Sequence, residues 1–318
     1  MEKSEEIDGN FFESLPEGFI ANAMARTSPK DVCTLSLVCT LFKSAAGWDA
    51  VWEKFLPPDY QKIVAAADGC SKKEVYLRLC DYPVLIDAGN KSFWLHKLSG
   101  KKCYMLAARD LSIIWGDTPR YWRWISIPES RFAEVAELVS VCWLEVRGRI
   151  DTSLLSSDTR YAAYLVFKSA PHTYGFEYHP VEVSVGLIGA ENQTESQIKT
   201  VFLEPEASER YRHGEYERSL PGRRRMGVFS RLRGLASRAN ATPPQIGPKR
   251  RQDGWLEIEL GEFYNGKGQD GEVYMSMMEV KGGNWKGGII IQGIEIRPKT
   301  VMEISKIPKL HSTYAMKR

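Results

Sequence analysis

The chain has 318 residues, 43 Lys and Arg against 40 Asp and Glu, and 43% hydrophobic positions, a balance that fits one large or two small packed domains and excludes a disordered or fibrous polypeptide. The net charge of +3 conceals two unlike regions. Between Arg210 and Arg251 stand twelve basic and two acidic residues, a net of +10, which leaves 31 basic against 38 acidic residues, a net of −7, over the rest of the chain.

The opening residues Met1–Asp8 are acidic and polar and lack the basic start and apolar core of a secretory signal. The longest uncharged apolar-leaning run, Val32–Phe42, is far shorter than the roughly 18–20 residues that cross a bilayer. A soluble protein of cytoplasm and nucleus, with no membrane partner, is the expectation. Cys33, Cys39, Cys70, Cys80, Cys103 and Cys142 form no CxxC pair and the five histidines no ligand spacing, so no metal, cofactor or disulfide is expected. The thiols are expected to be small buried hydrophobes.

From Phe11 to Leu56 the apolar spacing is helical. Leu15-Pro16-Glu17 opens a first segment in which Phe19, Ile20, Ala23 and Met24 are predicted to share one face. Ser28 followed by Pro29 reads as an N-cap with proline at the first helical position, and Asp31 places a negative charge in the first turn. Val32, Leu35, Val38, Cys39 and Phe42 then predict one continuous helix up to Gly47. Trp48, Val51, Trp52 and Phe55 form a third segment, ended by Pro57-Pro58. Three short helices bury little surface, and so small a unit often gains stability from a partner.

Ser14-Leu15-Pro16-Glu17, Ser28-Pro29-Lys30-Asp31-Val32, Leu37-Val38-Cys39, Trp48 and Trp52, in this order, resemble an F-box. The resemblance places the domain at residues 1–58, with its core at 11–56, and implies binding of a Skp-type adaptor and, through it, a cullin ubiquitin ligase. Leu15 and Pro16 match the motif that meets the adaptor, with Ile20, Leu37 and Val38 as further candidates. For those three, adaptor contact and intradomain core both stand, since periodicity does not separate them.

Residues 59–83 read as a helical linker, with a helix over Lys72–Leu79, and from about Pro83 the pattern turns to strands. Val139–Val146 and Tyr161–Phe167 are rich in aromatic and β-branched residues. Leu256, Ile258 and Leu260 alternate with Glu257 and Glu259, and Gly288–Ile296 reads as a buried strand. Together these predict an α+β chain in which a small helical module precedes an antiparallel β-sandwich of jelly-roll type over residues 84–318.

Over most of Lys91–Arg297 a second resemblance emerges. Ala107–Ile113, Trp115, Tyr121-Trp122, Trp143-Leu144-Glu145, Gly148-Arg149-Ile150, Tyr164–Lys168, Asp253–Ile258 and Ile291–Pro298 are similar to the phloem protein 2 family of plants, which includes the Nictaba-type lectins. The resemblance implies binding of chitin-type oligomers or N-glycan cores, with Trp115, Trp122, Glu272 and Glu279 as the matching positions. Stacking aromatics with carboxylates suit the faces and hydroxyl edges of sugars. Core packing is the competing reading for both tryptophans. Glu272 and Glu279 are seven apart and fall on opposite faces of a regular strand, so they converge only where the strand bends or bulges.

Residues 204–251 interrupt the β pattern with Arg223-Arg224-Arg225 and Lys249-Arg250-Arg251, composition that predicts a flexible, exposed insertion. An idle solvated loop, an importin-dependent nuclear import signal and contact with nucleic acid compete there, nucleic acid being the weakest reading. No paired glycosidase carboxylates, GxSxG or P-loop stand out. The expectation is therefore a non-catalytic substrate receptor of a cullin-type ligase that recruits a glycan-bearing client. A receptor gripping protein directly, or a lectin with an idle F-box, remains open.

Overall fold

Ser28 starts its helix as the sequence implies. Its hydroxyl accepts from the Asp31 amide at 3.2 Å while the Asp31 carboxylate accepts from the Ser28 amide at 3.3 Å, a reciprocal capping box behind Pro29. The computed structural model describes residues 15–64, 69–177, 179–188, 198–204, 247–268 and 270–299. They divide into two compact units, one holding the chain to Ala88 with Ser92–Tyr104, the other Gly89–Lys91 with everything from Met105.

The first unit contains α1 (Glu17–Met24), α2 (Pro29–Leu35), α3 (Thr40–Ala45), α4 (Asp49–Glu53), α5 (Tyr60–Ile63) and α6 (Lys72–Asp81), then β1 (Val84–Ile86), β2 (Lys91–Leu95) and the start of β3 (Lys102–Ala107). The continuous helix expected over 28–47 is two helices. Thr34 and Ser36 donate their hydroxyls back to the carbonyls of Lys30 and Cys33, at 3.0 and 2.7 Å, and Cys39 is extended, local bonds of the kind that compete with helix continuation. The expected face of α1 also differs: Ile20, Ala21 and Met24 are buried, whereas Phe19 and Ala23 are exposed.

Of the segment expected to be a helical linker, Tyr60, Val64, Val75, Tyr76 and Leu79 are buried in the first unit. Tyr76 of α6 packs on Trp52 with ring centroids 5.3 Å apart and donates its hydroxyl to Lys97 O at 3.1 Å. A Ser71–Glu74 capping box fixes where α6 begins.

In the second unit β4 (Ser112–Ile113), β5 (Trp122–Ile125), β6 (Val135–Leu138), β7 (Leu144–Asp151), β8 (Thr159–Tyr174), β9 (Val181–Ile188) and β10 (Lys199–Val201) precede β11 (Lys249–Arg250), β12 (Leu256–Asn265), β13 (Glu272–Glu279) and β14 (Gly287–Pro298). One sheet runs β3-β14-β8-β12-β11, with β6 also on β14 and β5 on β6; the other runs β10-β9-β13-β7-β4. The antiparallel sandwich expected from the alternation is present. A Cβ added to Gly148 of β7 would lie 3.0 Å from Ile294 Cδ1 of β14, and one on Gly261 of β12 would lie 3.1 Å from Val185 of β9, so these positions face across the interior. The strand expected at 139–146 begins only at Leu144; Val141 instead makes an isolated bridge to Lys286.

Outside the interior, Arg251, Glu257, Glu295 and Arg297 form a closed ion network. Arg251 donates to Glu257 at 2.8 Å and Glu295 at 3.1 Å, Arg297 to the same two carboxylates at 2.7 and 2.6 Å, and the Arg297 guanidinium lies 3.8 Å over the Tyr164 ring. Burial raises the Glu257 carboxyl, but the Arg297 and Arg251 guanidiniums outweigh it and hold it below the usual glutamate range. Lys299 does the same for Glu262. A depressed folded value means that this stabilisation is complete above the unfolded pKa, about 4.3, and is lost as pH falls through the folded value. Thermal melts of the full chain are expected to fall steeply below about pH 4, and Glu257→Gln to lower the neutral-pH melting temperature while flattening that acid slope.

Candidate functional site

The five adaptor candidates separate into two groups. Pro16 is exposed at the N-cap of α1 and Leu15 is half-buried. Leu37 and Val38 occupy the turn between α2 and α3 and are 84% and 66% exposed. For Val38, which the spacing places on the apolar stripe, this differs from the core reading, because the break at 36–39 separates it from the buried Val32. Ile20 is 4% exposed and belongs to the helical core, so it is not available to a partner. Leu37 borders an apolar groove of about 290 Å³ lined by Cys33, Thr34, Trp52, Tyr76 and Leu98. Phe19 and Trp48, which the sequence reading placed on apolar faces, are also exposed; the Trp48 indole is held by a 2.8 Å bond to Glu17.

The four sugar candidates do not form one constellation. Trp115 is 44% exposed and holds a left-handed φ of +58°, a conformation that is costly for a bulky residue and persists only when its surroundings impose it. Trp122 is 2% exposed. Its indole N–H donates to Ile114 O at 3.2 Å, and that of Trp124 donates to Gly116 O at 3.0 Å. The two indoles of β5 thus hold the carbonyls on either side of Trp115, and Arg109 stacks on Trp124 at 3.7 Å. Trp122 is a positioning residue in the core; Trp115 is the one presented to solvent.

The register of β13 against β7 is unbroken from Glu272 opposite Asp151 to Glu279 opposite Leu144. No bulge brings the glutamates together: they lie on opposite faces and, at a rise of about 3.3 Å per residue, roughly 23 Å apart. Glu272 is exposed and pairs with Arg149 at 3.6 Å. Glu279 is 7% exposed on the inward face, accepts from the Gly282 amide at 2.9 Å and pairs with Lys286, itself wholly buried and donating to Cys142 O at 3.0 Å. That is a lock between the 280–286 loop and the start of β7.

Arg223, Arg224 and Arg225 lie outside the described residues. Lys249 and Arg250 are exposed on β11, but the Arg251 side chain is only 15% exposed and is consumed by Asp253, Glu257 and Glu295. Arg251 is a structural cation and drops out as an import residue. The thiols also depart from expectation: only Cys103 is buried, Cys33 and Cys70 are exposed and the rest half-buried; burial pushes the Cys80 thiol up to about 11. Among the described residues no cluster of His, Cys, Asp or Glu could hold a metal ion, and no helix is long and apolar enough to cross a membrane.

The phloem protein 2 family model matches residues 101–298 and the F-box domain model residues 12–54. The chain is an F-box protein of the phloem protein 2 family. Among its relatives from Arabidopsis thaliana, F-box protein PP2-B1 is 45% identical over 308 residues, 91% of this chain and 90% of that one. F-box protein PP2-B10 is 44% identical over 92% of this chain and 95% of its own length, and F-box protein VBF 42% identical over 90% and 99%. The first match ends at Pro298, the last residue of β14, and the second at Lys54, the C-cap of α4.

Trp115 and Trp122 are equal as matches of the lectin resemblance; exposure, 44% against 2%, with Trp122 on β5 paired to β6, separates them. Trp122→Ala is expected to cost about 3–5 kcal/mol of stability, in the range for large buried aromatics, and Trp115→Ala less than about 1 kcal/mol. Chemical denaturation of both variants checks the difference.

Proposed function

We propose that the chain is a non-catalytic substrate receptor of a Skp-cullin-F-box ubiquitin ligase, working in cytoplasm and nucleus: its helical unit docks a Skp-type adaptor and its sandwich holds a glycan-bearing client. The observation that carries the docking half is the exposure of Leu37 and Val38 on a turn with Pro16 also in water, apolar surface that a partner would bury at about 25 cal/mol per Å². Such a receptor works by proximity, raising the effective concentration of client beside the conjugating enzyme. It needs no acid, base or nucleophile of its own. Membership of the F-box and phloem protein 2 families supports this reading.

A second reading, a receptor that grips protein directly without sugar, is favoured by one observation. The matching positions Trp115, Trp122, Glu272 and Glu279 scatter over a solvent turn, the core, a strand end and an internal lock.

Leu37→Asp with Val38→Asp is expected to abolish co-purification of a Skp-type adaptor at unchanged helical circular dichroism; undiminished recovery rejects the docking half. For localisation, replacing Arg223, Arg224 and Arg225 by Ala is expected to move a fluorescent fusion out of the nucleus. Arg251→Ala is expected instead to lower the melting temperature, since it leaves Glu257 and Glu295 short of a cation.

A further inference from the structure

The five-stranded sheet has an inward face of Leu144, Val146, Met275, Met277 and Val183, all buried. On its other face the register sets Glu145 beside Met278, Arg147 beside Ser276, and Arg149 beside Tyr274; Ser276 is also opposite Ser184. That face is polar, yet parts of it are ordered like an interior. Glu145 is 6% exposed and is held between the Trp143 indole, which donates to it at 2.9 Å, and the Arg147 guanidinium. The Ser184 and Ser276 hydroxyls are buried and hydrogen-bonded at 2.8 Å. Arg147 Nε is shielded from solvent and has no acceptor. Buried donors are seldom left without one.

We infer that this outer face is the oligosaccharide-binding surface of the sandwich, with Trp143 as its stacking platform and the Glu145–Arg147 pair beside it supplying donor and acceptor to sugar hydroxyls. The inference rests on the sugar-binding reading above and moves the site from Trp115, Glu272 and Glu279 to strands β7 and β13. Trp143 is 44% exposed, and its indole N–H is tied to Glu145, so the ring is fixed before a ligand arrives. Tyr274, flanked by Arg147 and Arg149 at 5.9 and 5.8 Å, marks the far end of the track. From residue 143 to residue 149 a strand extends roughly 20 Å, the length of an oligosaccharide rather than of one sugar.

The ligand is a neutral sugar chain. The charges along the track are paired, Glu145 with Arg147 and Glu272 with Arg149, as is Glu182 with Lys281, while Asp151, opposite Glu272, accepts from the Ser153 amide at 2.7 Å. A sulfated or uronic acid polymer would have to break these pairs, whereas hydroxyls of a neutral sugar use the donor and acceptor capacity the pairs leave over.

The test is an array of immobilised neutral and sulfated oligosaccharides probed with the full chain, with Trp143→Ala, Arg147→Met and Trp115→Ala, each checked by thermal melting. Binding of wild type to neutral glycans, weakened at least roughly tenfold, about 1.4 kcal/mol, by Trp143→Ala and Arg147→Met and not by Trp115→Ala, supports the proposal. If Arg147→Met melts early, Arg147→Lys, which keeps the charge and loses the planar fork, is read in its place. Wild-type binding that survives both Trp143→Ala and Arg147→Met, or is lost only with Trp115→Ala, overturns this site while sugar binding stands. A preference for sulfated glycans overturns the neutral ligand, and wild-type silence on every glycan overturns both this site and the sugar-binding reading.

Discussion

The sandwich depends on how closely β14 is approached. β14 pairs with β8 along its length and carries β6 on its other edge. At Gly293 a Cβ would stand 1.9 Å from the Leu106 carbonyl of β3, and at Gly287 2.3 Å from the Val139 carbonyl. No side chain can be accommodated at either place, so β3 and the 139 segment close on bare backbone. Across the interior, Ile294 of the same strand fills the space left by Gly148. Register is therefore fixed by where side chains are missing as well as by where apolar ones are present. The same register decides which residues of β7 and β13 face solvent.

The tryptophans show what such a frame does to a residue type. Trp52, Trp122 and Trp255 are each buried to within 2% of their surface, and each gives its indole N–H to a backbone carbonyl, that of Ala46, Ile114 or Glu129. Trp48 and Trp143, both exposed, give theirs to carboxylates instead. A ring whose edge is satisfied by backbone serves the fold. A ring held by a carboxylate keeps a face in water while its orientation is set, which is the arrangement recognition requires.

Much of this architecture was legible in the sequence where chemistry is local. The Ser28-Pro29 start, the Gly288–Ile296 strand and the alternation of β12 need only neighbours within a few residues, and each is present. What was not legible depends on hydroxyls and on partners far along the chain. The 28–47 helix fails because Thr34 and Ser36 bond backward, an option that apolar periodicity does not count. Ile20 and Val38 are both aliphatic and helical by spacing, yet one is core and the other solvent. Glu279 matches a sugar-binding position by resemblance, and only Lys286, seven residues on and wholly buried, shows it to be half of an internal ion pair. Trp143 could have been noticed from the sequence Trp143-Leu144-Glu145, where an alternating strand puts an aromatic and an acid on one face.

Arg251 carries the charge pattern furthest. By composition it is the last of twelve cations in a +10 segment set against a −7 body. In the fold it is a counter-ion of that body, because Glu257 of β12 and Glu295 of β14 are acids of the remainder and Arg251 joins them. The exchange works in both directions: without Arg251, Arg297 alone would face the buried Glu295 and half-buried Glu257 carboxylates, and without them Arg251 would be a half-buried cation with only Asp253. The two electrostatic regions that composition separates are therefore joined at this residue. Glu257 and Glu295 are what anchor the C-terminal end of the basic segment, so a change of charge at Arg251 or at either glutamate is felt in the stability of the sandwich.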